Sequence, residues 1–196
     1  MIICMFRASE DILHKTICIT NRHLCEDDFL LRIEKIAKSG VKAVILREKD
    51  MSETEYEALA GAVMDICRKN NTLCILHSFV DVALKLNANA IHLPMPIIRA
   101  LSEEERSRFD ILGASCHSVE EAIEAESLGC TYITASHVFA TDCKKDLKPR
   151  GLGFIGDVTK AVDILVYGLG GISEENAESV INAGAAGICI MSGFMR

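Results

Sequence analysis

The 196-residue sequence has no tryptophan, three prolines and only 5% aromatic residues. No stretch approaches the roughly 18 uncharged apolar residues of a membrane-spanning helix, so no contact with a membrane is expected. Long blocks of one charge sign are also missing. Asp and Glu number 28 against 21 Lys and Arg, a net charge of −7, which argues against nucleic acid as the main partner. The apolar start Met1-Ile2-Ile3-Cys4-Met5-Phe6 lacks the basic opening of a signal peptide. Nine cysteines would leave at least one unpaired in a disulfide framework, and none forms a Cys-x-x-Cys pair. Reduced thiols in the cytoplasm are the expectation, with Cys18, Cys74 and Cys189 serving as small core hydrophobes. No Gly-x-Gly-x-x-Gly follows the first strand, which argues against a dinucleotide-binding sheet, and no His-Glu-x-x-His suggests a zinc site.

What is present is a repeat of short β-branched apolar runs, most of them followed by a segment of helical periodicity. The runs start at Thr16, Val41, Thr72, Ala90, Ile111, Thr131, Ile164 and Gly187. Helices are expected over Phe29 to Lys38, Glu53 to Lys69 and Val80 to Leu86. Others follow Ser102, Ser118 and Ser173, and one lies around Gly156 to Ala161. Ser52 with Glu55, Ser102 with Glu105 and Ser118 with Glu121 read as capping boxes. Pro94 and Pro96 read as the end of strand four. From Cys18 to Cys189 the repeat averages about 24 residues, a length that suits a closed parallel barrel. The expectation is therefore an α/β chain folded as a small (β/α)8 TIM barrel with its eighth helix largely missing. It would occupy residues 15–196 after an N-terminal extension, residues 1–14. Those fourteen residues, or a second copy in a homodimer, would cover the apolar groove left between the first and seventh helices.

In such a barrel the chemistry sits where strands end. These ends are Asn21-Arg22-His23, Arg47-Glu48-Lys49, His77-Ser78, His92-Leu93-Pro94, Ser115-Cys116-His117, Ser136-His137, Gly168 to Gly171 and Ser192-Gly193. Five of the six histidines fall among them, which suggests a polar pocket. Loops after strands seven and eight of this fold often bind phosphate through backbone N–H groups, so Gly170, Gly171, Ser192 and Gly193 are phosphate-binding candidates. The segment His137 to Gly151, polar and basic, is long enough to suggest a functional loop.

Three runs resemble one family. They are Gly113-Ala114-Ser115-Cys116-His117-Ser118 with Glu120-Glu121-Ala122, His137-Val138-Phe139-Ala140-Thr141-Asp142-Cys143-Lys144-Lys145, and Gly170-Gly171-Ile172 with Ala183-Gly184-Ala185. Together they resemble the thiamine phosphate synthase and TenI family over about residues 15–196. In the synthases, the resemblance implies, carboxylates at the ends of strands three and four hold the Mg²⁺ that neutralises a pyrophosphate leaving group. This chain has His77-Ser78 and His92-Leu93-Pro94-Met95-Pro96 there. The Leu93-Pro94 end and the Thr141 to Lys145 run instead look like TenI, a thiazole tautomerase that aromatises a thiazole phosphate carboxylate by moving a proton. Arg47-Glu48-Lys49, in contrast, matches the pyrophosphate-binding run of the synthases.

The resemblance thus implies a tautomerase-like isomerase of thiamin biosynthesis acting on a small thiazole phosphate, with no cofactor and no metal. His117 would shuttle the proton, because imidazole titrates near neutrality, and Arg47 would clamp the substrate carboxylate. The alternative for Arg47 is an ion pair with Glu48 or Asp50. Lys49, His77, Ser115, Thr141 and Lys144 are the further substrate-binding candidates, with Lys144 and Lys145 closing over an anion. His77 and His92 lack a third ligand in metal-binding spacing. Two alternatives remain open: a Mg²⁺-dependent thiamine phosphate synthase (thiamine-phosphate pyrophosphorylase), a transferase coupling a pyrimidine pyrophosphate to the thiazole phosphate, and a non-enzymatic, regulatory binder of thiazole phosphate.

Overall fold

The computed structural model describes residues 6, 8–141 and 147–196. Its β-branched runs form eight parallel strands: β1 (Thr16–Ile19), β2 (Ala43–Leu46), β3 (Leu73–His77), β4 (Ala90–Pro94), β5 (Ile111–Cys116), β6 (Tyr132–Ser136), β7 (Leu165–Leu169) and β8 (Gly187–Ile190). Each pairs with its neighbour in sequence, and β8 returns to β1 through Ile17 opposite Cys189, which closes the barrel. The expected TIM-barrel architecture is thus present.

Strand side chains alternate between two faces. Ile17, Ile19, Ala43, Ile45, Ile75, Ala90, Tyr132, Tyr167 and Cys189 form one buried cluster inside the barrel. The intervening Cys18, Val44, Leu46, Leu76, Ile91 and Leu93 belong to a second and larger cluster shared with the helices. Extending the inward parity toward the C-terminal ends brings up Arg47, His77, His92, Ser115, His117, Thr134 and Ser136. The two-residue period that fills the core therefore also selects the residues at its mouth.

The helices are α1 (Glu10–Leu13), α2 (Phe29–Lys38), α3 (Glu53–Lys69), α4 (Val80–Lys85), α5 (Met95–Ala100), α6 (Glu103–Arg106), α7 (Val119–Ser127), α8 (Gly151–Ala161), α9 (Ala177–Asn182) and α10 (Ser192–Met195). Capping boxes close on α3 and α6 as the sequence suggests. On α7 only half of one forms: Ser118 accepts from the Glu121 amide, while the Glu121 carboxylate reaches the amide of His117 at 2.6 Å. Strand four ends at Pro94 as expected, and Pro94 and Pro96 also sit in the cap and first turn of α5, a helix the sequence reading does not place, where a missing N–H costs nothing. Two expectations need correction. Helix α8 begins at Gly151, not near Gly156. Ser173 does not cap α9, which starts after Asn176, and the Ser173 amide instead donates to the Asn176 side chain at 2.9 Å.

After β8 comes only the one-turn helix α10. Phe6 packs beside it, its amide donating to the Gly193 carbonyl at 2.6 Å and its ring lying 5.5 Å from that of Phe194. Ala8, Ile12 and Leu13 also pack on the core. The segment that precedes β1 thus packs against α10 and the core. Among the described residues no helix is long and apolar enough to cross a membrane.

Candidate active site

A cavity of about 470 Å³ opens at the C-terminal ends of the strands. Arg47, Lys49, His77, Ser115, His117, Thr141, Gly170, Gly171 and Ser192 all line it, so nine of the sequence-derived candidates come together. Gly193 does not; its carbonyl is engaged by Phe6 behind the cavity wall. Lys144, with Lys145, lies outside the described residues.

Arg47 and Lys49 face the cavity, whereas Glu48 between them turns away and is buried. Its carboxylate accepts from the Thr20 hydroxyl at 2.6 Å and from the backbone and side chain of Arg22 at 3.1 Å. Asp50 is also taken by Arg22, at 2.7 and 2.6 Å. The two acids nearest Arg47 in sequence are thus bound elsewhere, and among the described residues Arg47 makes no ion pair. Burial and the neighbouring Arg47 depress the pKa of Lys49. The cavity wall presents Arg47 and Lys49 side by side, with Arg196 also lining it, and among the described residues lining it no Asp or Glu side chain.

The ends of β2 and β3 are tied by Tyr56 of α3, whose hydroxyl accepts from the His77 amide at 2.9 Å and donates to the Leu46 carbonyl at 2.6 Å. The His77 ring stacks on that of His92 at a centroid distance of 5.7 Å. Nδ1 of His77 lies 2.7 Å from the Ser78 hydroxyl. His92 is bracketed by the Tyr132 hydroxyl at 3.0 Å and the Ser115 hydroxyl at 2.9 Å. Burial, helped by His92 and by Lys49 and Arg47, pushes His77 down to about 2. Burial, with Lys49, pushes His92 down to about 3. Both rings are therefore neutral at physiological pH, polar without adding charge.

His117 stands apart from this pair. It is exposed, and its Nδ1 lies 3.2 Å from the Ser136 carbonyl oxygen and 2.9 Å from the Ser136 hydroxyl. A carbonyl oxygen can only accept, so that contact is a hydrogen bond in the tautomer with its proton on Nδ1, in which Nε2 is the basic nitrogen. Glu121, holding the His117 amide, fixes the backbone beneath it. Such a group can accept a proton at Nε2 and return it.

Gly170 and Gly171 have φ of +103° and +65°. A Cβ on Gly170 would sit 2.4 Å from that of His137, and one on Gly171 2.3 Å from the Ala140 oxygen. The glycines thus let the loop after β6 lie flat on the loop after β7, bonded by the Val138 and Phe139 amides to the Leu169 and Gly170 carbonyls at 3.0 Å. Their side-chain-free backbone is also open to the cavity.

Of the other lining residues, sequence reasoning placed Asn21, Ser136 and His137 at strand ends without giving them a role and left out Thr134 and Arg196. The inward parity of Thr134 and Ser136 along β6 was the signal that could have assigned both to the cavity. Of the five strand-end histidines, His23 alone is absent from the cavity; it meets Asp50 at 2.9 Å.

Comparison with known proteins identifies the family. A thiamine-phosphate synthase from Clostridium acetobutylicum is 36% identical over 190 residues, covering 95% of this chain and 89% of the relative. A putative thiamine-phosphate synthase 2 from Aquifex aeolicus is 36% identical, covering 94% of this chain and 99% of its own length. The solved thiamine phosphate pyrophosphorylase from Pyrococcus furiosus superposes with a TM-score of 0.80 at 31% identity, over 93% of this chain and 87% of that one. These relatives carry the name of the synthase, not of the tautomerase. The family model described as thiamine monophosphate synthase matches residues 16–194, and the chain belongs to that family.

Proposed function

We propose that this member of the family binds a thiazole phosphate carboxylate and moves a proton on it, aromatising the ring. The observation that carries this reading is the pairing of His117, its Nδ1 beside the Ser136 carbonyl, with a cavity wall on which Arg47 and Lys49 meet no Asp or Glu side chain among the described residues. Arg47 takes the substrate carboxylate, with Lys49 beside it, and the backbone at Gly170, Gly171 and Ser192 takes the phosphate. Nε2 of His117 removes a proton from one ring atom and returns it to another. While the ring carries that extra proton, the Ser136 carbonyl accepts from Nδ1 and stabilises the charge. General acid–base catalysis of this kind contributes about 10²–10⁴-fold.

A second reading, coupling of a pyrimidine pyrophosphate to thiazole phosphate, is favoured by the names of the relatives and by Arg47-Glu48-Lys49, which suits a pyrophosphate. That chemistry implies Mg²⁺, a hard cation that selects carboxylate, phosphate and water oxygens. Among the described residues the donor set does not fit it. His77 and Ser78 stand at the end of β3, His92 and Pro94 in β4, and no group of three His, Cys, Asp or Glu side chains is arranged to hold a metal.

The two readings separate in one pair of assays. The tautomer of the thiazole carboxylate phosphate is mixed with the protein in EDTA and its conversion followed above the buffer-only rate. In parallel, pyrophosphate release is measured with both coupling substrates and Mg²⁺. The first reading predicts conversion without pyrophosphate release; release without conversion contradicts it.

A further inference from the structure

Arg32, on the inner face of α2 between Asp27 and the buried Ile33, Ile36 and Ala37, is 1% exposed. A guanidinium is removed from water at such cost that its hydrogen bonds must all be accounted for. Here one edge of the fork meets Asp27, with Nε at 3.0 Å and Nη2 at 2.8 Å from Oδ1. The other arm crosses to the far end of the chain: Nη1 donates to the Phe194 carbonyl at 2.9 Å and to the main-chain oxygen of Arg196 at 2.8 Å. Helix α10 has only four residues, so within it only the Ser192 carbonyl finds a partner, the Arg196 amide at 3.1 Å, and those that follow do not. They are tied from outside instead, Gly193 by the Phe6 amide and Phe194 by Arg32.

The same turn carries Ser192 and Arg196, both on the cavity wall. We infer that Arg32 is a positioning residue for the phosphate end of the cavity, holding the segment after β8 by its main-chain oxygens so that Ser192 and Arg196 face the ligand. The inference rests on the phosphate assignment made under the proposed function. Arg32 itself is buried behind the wall and touches no substrate. A planar fork is needed because one group must serve a carboxylate on one edge and two main-chain oxygens on the other, which a lysine ammonium does not span. A purely structural arginine would support every ligand equally. A positioning one supports the phosphate selectively.

The test is calorimetry with two probes, thiazole phosphate and the corresponding unphosphorylated alcohol, on the whole chain and on its Arg32→Met and Arg32→Lys variants. The wild-type protein binds the phosphate more tightly. Arg32→Met reduces that preference about tenfold, Arg32→Lys reduces it by less, and the alcohol binds all three alike. If circular dichroism shows Arg32→Met unfolded, Arg32→Lys decides by the same ratio. A preference that survives in the folded variants, or equal loss of both ligands, overturns the inference. A wild-type chain without any preference overturns the phosphate assignment first, and this inference with it.

Discussion

The carbonyl oxygen of Ser136 lies 3.2 Å from Nδ1 of His117, and it does so from the main chain of the neighbouring strand. Because β5 and β6 pair in register up to Cys116 opposite Ala135, the residue that ends one strand is held against the residue that follows the other. The hydroxyl of Ser136 also approaches Nδ1, at 2.9 Å, and can donate or accept there, whereas the carbonyl can only accept. Ser136→Ala therefore keeps the bond that matters, and its kcat should fall less than about tenfold, well short of the loss expected on removing a general base. A kcat that fell as far in Ser136→Ala as in His117→Ala would show that the hydroxyl sets the tautomer.

Arg47 lines the cavity without a carboxylate partner of its own, since Arg22 holds Glu48 and Asp50. Arg47→Met should raise KM for a carboxylated thiazole phosphate by about 10–100-fold, the worth of a charge-assisted hydrogen bond. The decarboxylated ligand should bind the variant as it binds wild type. Isothermal titration with both ligands checks this, and equal weakening of the two would place the carboxylate elsewhere.

Gly171 combines φ of +65° with a Cβ position 2.3 Å from the Ala140 oxygen. A side chain there costs roughly 1–3 kcal/mol in backbone strain alone, about 2–10 °C in Tm for a chain of this size. Gly171→Ala should show that loss by calorimetric melting even in the absence of ligand. An unchanged Tm would mean that the loops after β6 and β7 do not rest on one another.

The buried pair His77 and His92 makes stability depend on pH in a defined direction. Their folded-state pKa values are depressed to about 2 and about 3 from the ordinary 6.5. The unfolded chain thus binds protons that the native chain refuses. Stability is complete above about pH 6.5 and falls as pH drops toward the folded values, by nearly 1.4 kcal/mol per pH unit for each ring. Asp27 and Asp50, held below the usual carboxylate range chiefly by hydrogen bonds to their neighbours, act at lower pH. Urea denaturation between pH 6 and 4.5 should therefore show a shallower decline in His77→Asn than in wild type. Equal slopes would mean that His77 is protonated in the native state.

Much of this organisation was legible because strand periodicity and strand ends are local properties. Ile17, Ile19, Ala43 and Ile45 alternate with Cys18, Val44 and Leu46, and the same parity carries Arg47 and His77 into the cavity. What the sequence concealed depends on distant partners. Gly193 reads as a phosphate-binding glycine, yet it does not line the cavity and its carbonyl meets the amide of Phe6, some 190 residues away in sequence. Helix α5 was hidden by prolines that terminate strands and also suit a first helical turn. Helix α8 begins five residues before its expected start because Gly151, Gly153 and Gly156 lower its propensity, while burial of Ile155 and Val158 restores it. The interplay of Glu48 with Arg22 was equally invisible, and it is what leaves Arg47 unpaired.

The central claim is that the Nε2 of His117 carries the transferred proton. It is tested most directly by converting the thiazole carboxylate phosphate tautomer with wild type, His117→Ala and His77→Ala, each rate corrected for the buffer-only reaction. The account predicts a loss in kcat of about 10²–10⁴-fold for His117→Ala with phosphate affinity retained, and a much smaller change for His77→Ala. Equal corrected rates for wild type and His117→Ala, together with abolished turnover in His77→Ala, would contradict it and move the proton transfer to the end of β3.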